Sequence, residues 1–313
     1  MIKNCSRLLI VCVCFNLTSM LWAAPVSQDP PSQEESIPLW PTPPYTATSS
    51  HPPEQLSTHG AVSHVAVPRL IVYRPAHPNG TAVLVIAGGG YKRIERSKES
   101  MPAAHWLQAQ GITTFELIYR LPTDWPASAS FQDAQRAMRL IRAQAANYQV
   151  QSNHIGILGF SAGGHLAGMT AVTTVPLYKA VDVADQVSAR PDFVGLIYPV
   201  ITLMPPFDHT STRRELIGDH PTRIQSQAYS VNLQIQDQMP PTFLAHAIDD
   251  PISPVDNSVL MLMSLRAHHI ASELHVFQAG GHGWGLGQPD TLVAAWPTLF
   301  LAWLKHNGDL VRD

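Results

Sequence analysis

The chain has 313 residues, 45% of them hydrophobic and 14% charged, with a formal net charge of −3. That composition excludes a disordered chain, and so small a net charge gives no electrostatic reason to expect nucleic acid or an anionic membrane as a partner. The length suffices for a single large α/β domain with its own core.

Lys3 and Arg7 precede an apolar stretch from Leu8 to Trp22. This is a basic region followed by an apolar one, too short and, at Asn16, Thr18 and Ser19, too polar for a membrane span. It reads as a signal peptide over residues 1–23, cleaved after Ala23. The expectation is export to the periplasm or the extracellular space, with no stable membrane insertion once the leader is gone. All three cysteines, Cys5, Cys12 and Cys14, fall in this leader, so the mature chain is expected to have no disulfide and no thiolate metal site. Residues 24–60 are rich in proline, which excludes a helix or a central strand and predicts an extended arm or linker. Within it, Ile37-Pro38-Leu39-Trp40-Pro41 offers a tryptophan that could dock on the fold. The folded domain is expected over 61–313.

Ala61 to Tyr73 alternates loosely and predicts a strand, and Asn79-Gly80 turns into a buried strand, Thr81 to Ala87. That strand runs into Gly88-Gly89-Gly90-Tyr91, where successive glycines let backbone N–H groups face a ligand oxygen. A helix over Met101–Gln110, a strand over Ile112–Tyr119 and a helix over Ser130–Ala146 follow. Arg136, Arg139 and Arg142 keep near one face of the last, as a solvated or ion-paired surface. Ile155 to Phe160 is the next strand. Phe193 to Tyr198 is another, closed by Pro199. Val200 to Pro241 is irregular and proline-bearing, the pattern of a segment that shapes or covers a site. Thr242–Ile248 (strand), Val255–His268 (helix), Ala271–Phe277 (strand) and Leu292–Lys305 (amphipathic helix) complete the chain. Strands alternating with helices predict an α/β fold, a mostly parallel central sheet with helices on both faces.

Gly159-Phe160-Ser161-Ala162-Gly163 lies between a strand and a helix. A serine there needs a sharp bend, which flanking glycines permit, and the following helix aims free N–H groups at it. Neutral serine is a weak nucleophile and needs a base that is itself oriented by a carboxylate. Asp249 and Asp250 both stand at a strand end. Asp250 is preferred because it opens the loop Asp-Pro-Ile-Ser-Pro into a helix, with Asp249 the alternative. Of fifteen histidines, His282 is singled out by the glycines around it beyond the last strand. His165 and His246 read as structural. The N–H of Ala162 would serve an oxyanion together with the Gly88 loop. No metal-ligand spacing such as H-E-x-x-H occurs, so neither a metal nor another cofactor is expected.

Four segments carry a resemblance: Ala87-Gly88-Gly89-Gly90-Tyr91, Gly159 to Ala167, His246 to Pro254, and Gly281-His282-Gly283-Trp284-Gly285-Leu286. They resemble the signature segments of secreted α/β-hydrolase esterases of the acetyl-xylan esterase or feruloyl-esterase-like group, over roughly 62–304. The glycine loop departs from the common His-Gly-Gly-Gly form by carrying Ala87, and Ser253 stands where valine is frequent. The resemblance implies Ser161, Asp250 and His282 as a catalytic triad and the N–H groups of Gly89, Gly90 and Ala162 as the oxyanion hole. It implies hydrolysis of carboxylic esters, with short acetyl groups on plant polysaccharide or oligosaccharides as substrate. A peptidase or lipase on the same fold, or a non-catalytic binding protein, are the alternatives. Tyr91 and Trp284 are candidates to face a sugar or an acyl group. Nothing in the pattern sets an oligomeric state.

Overall fold

An apolar run of four to six residues makes a central strand only if both its faces are covered. The computed structural model, which describes Met1, residues 34–42 and residues 52–310, arranges the chain's apolar runs in this way. Residues 2–33, with all three cysteines and most of the expected leader, lie outside the described residues. In chain order the elements are β1 (Ser36–Pro38), β2 (Gln55–Leu56), β3 (Val62–Ser63), β4 (Arg69–Tyr73), β5 (Ala82–Ile86), α1 (Ser100–Ala109), β6 (Thr113–Ile118), α2 (Ser128–Ala143), β7 (Ile155–Phe160), α3 (Ala162–Val172), β8 (Val194–Ile197), α4 (Ser211–Ile217), α5 (Arg223–Ala228), β9 (Thr242–Ala247), α6 (Asp256–Ala267), β10 (Ser272–Phe277) and α7 (Trp296–Asn307).

Eight strands form one sheet in the order β1-β4-β6-β5-β7-β8-β9-β10. The pairings from β6 to β10 are parallel, and β4 and β1 add two antiparallel strands at one edge. Side chains alternate between two cores, as period-two geometry requires. Leu84 and Ile86 join Met138, Leu166 and Met261 from α2, α3 and α6. Val83 and Val85 join Leu107, Trp296 and Phe300 from α1 and α7. This is the α/β-hydrolase arrangement. No described helix is long and apolar enough to cross a membrane.

Some local expectations change. The first strand region splits into β3 and β4, because Pro68 interrupts it. The closing helix begins at Trp296 after a 3-10 turn, Leu292–Ala295. Pro297 has no N–H and fits only the first turn of an α-helix, which fixes that start. Of the two readings of the arginine face of α2, the ion-paired one holds: Arg136 is 2% exposed and binds Asp182 and Asp185. The proline-rich segment contributes β1 at the sheet edge. Leu39 is fully buried, and Trp40 donates its indole N–H to Asp133 at 2.8 Å. Asp133 in turn holds the Arg120 backbone and guanidinium.

Candidate active site

Parallel strands deliver their following loops to one sheet edge, so the ends of β5, β7, β8, β9 and β10 meet there. β7 ends in the Gly159–Gly163 turn. A Cβ on Gly159 would lie 2.3 Å from the Gly163 carbonyl oxygen, and one on Gly163 would lie 2.3 Å from that of Ile86. Only glycine allows this approach of turn, helix and strand. Ser161 between them has φ +51° and ψ −118°, a region that non-glycine residues enter at a cost of about 1–3 kcal/mol. Its hydroxyl stands clear of the sheet at the N-terminus of α3.

The Ser161 Oγ lies 2.8 Å from His282 Nε2, and His282 Nδ1 lies 2.7 Å from Asp250 Oδ2. An ionised carboxylate only accepts, so the imidazole proton sits on Nδ1 and Nε2 is left to accept from the serine. Asp250 Oδ1 takes the N–H groups of Ile252 and Ser253 at 2.8 and 2.9 Å. Burial works to raise the Asp250 pKa, but hydrogen bonds from His246 and His282 outweigh it and hold the group at about 2. Asp249 has a different task. Its Oδ1 accepts the N–H groups of Gly280 and Gly281 at 2.9 and 2.8 Å and so braces the loop that carries His282.

His246 is fully buried below this array. Its Nε2–H is shared between the Ser253 carbonyl at 2.7 Å and Asp250 Oδ2 at 3.2 Å, and its Nδ1 accepts from Ser258 at 2.7 Å. Sequence reasoning gave it a structural role but missed its link to Asp250. The i, i+4 spacing of the two across a strand end was the available signal. His165 is also buried and bridges elements. Its Nε2–H donates to the Tyr229 carbonyl and its Nδ1 accepts the Tyr91 hydroxyl. Burial, partly offset by that backbone bond, lowers its pKa to about 4, so it stays neutral.

A cleft of about 320 Å³ opens over Ser161 and His282, walled by Gly89, Gly90, Val200, Thr210 and Ile252. Among the described residues the N–H groups of Gly89 and Gly90 donate to no backbone acceptor. The Ala162 N–H begins α3 and has no partner within the helix. The segment 200–241 borders the cleft through Thr210, Ser211 and Thr212, and Ser211 donates to the Gly90 carbonyl at 3.0 Å. Tyr91, expected as a substrate contact, is fully buried beneath the loop. Its ring packs edge-on against Tyr119 and His165 instead. Trp284 packs edge-on against Tyr198 at 4.5 Å and lines a neighbouring groove.

The BD-FAE family profile matches residues 70–265. The acetylxylan esterase of Xylanibacter ruminicola is 27% identical over 249 residues, 78% of this chain and 46% of the relative. Endo-1,4-beta-xylanase B of Butyrivibrio fibrisolvens is 35% identical over 206 residues, 64% of this chain and 32% of the relative. The chain thus spans less than half the length of either. Among solved structures, an acetyl ester-xyloside bifunctional hydrolase from Caldicellulosiruptor lactoaceticus superposes with a TM-score of 0.76 at 33% identity, covering 89% of this chain and 98% of that one. With its α/β-hydrolase sheet and this match across most of the folded region, the chain belongs to the BD-FAE family.

Proposed function

We propose that this chain is a serine carboxylic-ester hydrolase that removes short acyl groups, acetyl above all, from plant polysaccharide or its oligosaccharides. The observation that carries the reading is the continuous hydrogen-bonded line from Ser161 through His282 to Asp250 at the floor of an open cleft. Ser161 Oγ attacks the ester carbonyl while His282 Nε2 takes its proton. The carbonyl oxygen becomes an oxyanion, which the N–H groups of Gly89, Gly90 and Ala162 receive. His282 then gives the proton to the departing sugar oxygen, leaving an acyl-serine. Water, deprotonated by the same nitrogen, attacks that ester and returns Ser161 with release of the carboxylic acid. Asp250 keeps the imidazole in the tautomer that accepts from serine and balances the imidazolium. The acyl group would sit against Val200, Thr210 and Ile252, in a cleft of about 320 Å³. The relatives named above support a xylan-type alcohol, and a leader over residues 1–23 would send the enzyme out of the cell to reach it.

The test is hydrolysis of p-nitrophenyl acetate, butyrate and octanoate beside acetylated xylan, by wild type and Ser161→Ala. Fast release of nitrophenol from acetate and of acetic acid from xylan, little octanoate cleavage and an inert variant are expected. No ester cleavage by the wild type, or turnover retained by the variant, would refute the proposal.

A further inference from the structure

Burying a carboxylate beside a reaction centre is costly unless something there uses its charge. Glu99, just before α1, is 3% exposed and borders the same cleft as Ser161 and His282. Among the described residues no lysine or arginine forms an ion pair with it. The Gly88 N–H, at the root of the glycine loop, donates to Glu99 Oε2 at 2.6 Å. The Tyr198 hydroxyl donates to Oε1 at 3.1 Å. That hydroxyl oxygen accepts the N–H of Gly285 at 3.0 Å, three residues beyond His282, and the Tyr198 ring lies edge-on to the imidazole at 4.9 Å. A Cβ on Gly88 would lie 2.7 Å from Ser161 Cβ and 3.2 Å from Glu99 Oε2, so the carboxylate and the serine flank the same backbone atom. One side chain therefore bonds directly to one wall of the cleft and, through a single tyrosine, to the other.

We propose that Glu99 is the positioning residue that ties the glycine loop to the loop bearing the base, and that its carboxylate is a second anion, beside Asp250, favouring the imidazolium form of His282 during turnover. This rests on the assignment of Ser161, His282 and Asp250 given above. Burial is the main influence on the Glu99 pKa and raises it to about 6, against the lowering effects of the Gly88 N–H, Tyr198 and His282. The other titratable or charged groups around the pair are Asp250 on His282, Tyr119 and Glu95 beside Glu99, Lys92 and Arg93 along the cleft, paired with Glu215 and Glu95, and Lys98, whose ammonium stands near Gly283. Among them Asp250 shares the sign and effect of Glu99 on the imidazole, and Lys98 opposes both.

The experiment compares wild type, E99Q, E99D and S161A on p-nitrophenyl acetate across pH. In E99Q we expect kcat to fall about tenfold with KM within about twofold, since ground-state binding is untouched. Loss of an anion makes the imidazole easier to deprotonate, so the acid limb of kcat/KM moves down by about half a pH unit. E99D keeps the charge on a shorter arm, so turnover falls while the acid limb stays. A purely structural residue would lower the melting temperature and leave the limb where it was. Wild-type turnover in E99Q, or an unmoved limb, overturns the proposal. Should E99Q fail to fold, E99D decides through kcat and melting temperature together: reduced kcat at the wild-type melting temperature with an unmoved limb supports the proposal, and wild-type turnover, a displaced limb, or a kcat loss that comes with a lowered melting temperature overturns it. Activity in wild type and none in S161A keeps the underlying assignment standing whatever the Glu99 variants do. A wild type without esterase activity strikes that assignment and this proposal together.

Discussion

Replacing Asp250 by asparagine changes one atom's chemistry and little of its shape. The Ile252 and Ser253 amides donate to Oδ1 at 2.8 and 2.9 Å, which fixes that position as the amide oxygen of the variant. Its NH2 must then occupy the Oδ2 position, facing His282 Nδ1 at 2.7 Å and His246 Nε2 at 3.2 Å. A donor against a donor is relieved if His282 moves its proton to Nε2. That nitrogen then points a proton at Ser161 and cannot take one. Turnover on p-nitrophenyl acetate should fall about 10⁴-fold, equivalent to about 5.4 kcal/mol of barrier, the size of loss that the wrong tautomer causes in a Ser-His-Asp protease triad. The clash left against His246 should cost a further ~1–3 kcal/mol of stability, measurable by chemical denaturation. Asp249→Asn is the control: its oxygen still accepts from Gly280 and Gly281, so turnover should stay within about threefold, the loss expected for a weakened charge-assisted hydrogen bond. If Asp250→Asn kept more than about a tenth of wild-type turnover, or Asp249→Asn were the crippled variant, the role given to Asp250 would be wrong.

Two further outcomes follow from the same geometry. Because Ser161 sits at φ +51°, Ser161→Gly should abolish ester cleavage yet raise stability by roughly 1 kcal/mol through relief of strain; a lower melting temperature than wild type would contradict the strain. The folded Asp250 pKa of about 2 lies below its ordinary 3.8, so the carboxylate stabilises the fold fully above pH 4 and loses that contribution as pH falls toward 2. This amounts to about 2 kcal/mol; denaturation at pH 7 and near pH 2 should show wild type losing that much more than Asp250→Asn, and equal losses would refute it.

The sheet was legible because its central strands are covered on both faces, so β5 and β7 appear in sequence as unbroken apolar runs, and because the loops after β5, β7 and β10 are marked by glycine and that after β9 by Asp-Pro. Ser161, Asp250 and His282 were singled out on those marks, and His282 lies within hydrogen-bond distance of each of the other two, which come from sequence-distant loops. Glu99 was invisible for the opposite reason. It ends a run of charged residues, Lys92 to Glu99, that reads as a solvated loop, and only tertiary packing buries the last of them. Tyr91 was misjudged because glycine neighbours suggest exposure, whereas the chain folds its ring inward onto His165 and Tyr119. For Arg136 the solvated and ion-paired readings stayed open because helical spacing reveals a face, not what covers it; its partners Asp182 and Asp185 lie 46 and 49 residues further along the chain.

The three-residue strand β1 has a practical meaning for anyone who shortens this protein. A cut at residue 60, the natural place on composition alone, would strip the outer edge of β4 and bare its N–H and C=O groups to whatever chain came next. The same cut would withdraw Leu39 from the interior and Trp40 from Asp133. Pro38 closes the outward side of that edge by having no N–H to offer. A product that keeps this edge of β4 covered therefore begins at or before Glu34, and residues 34–42 serve as the cover of the sheet's outer strand.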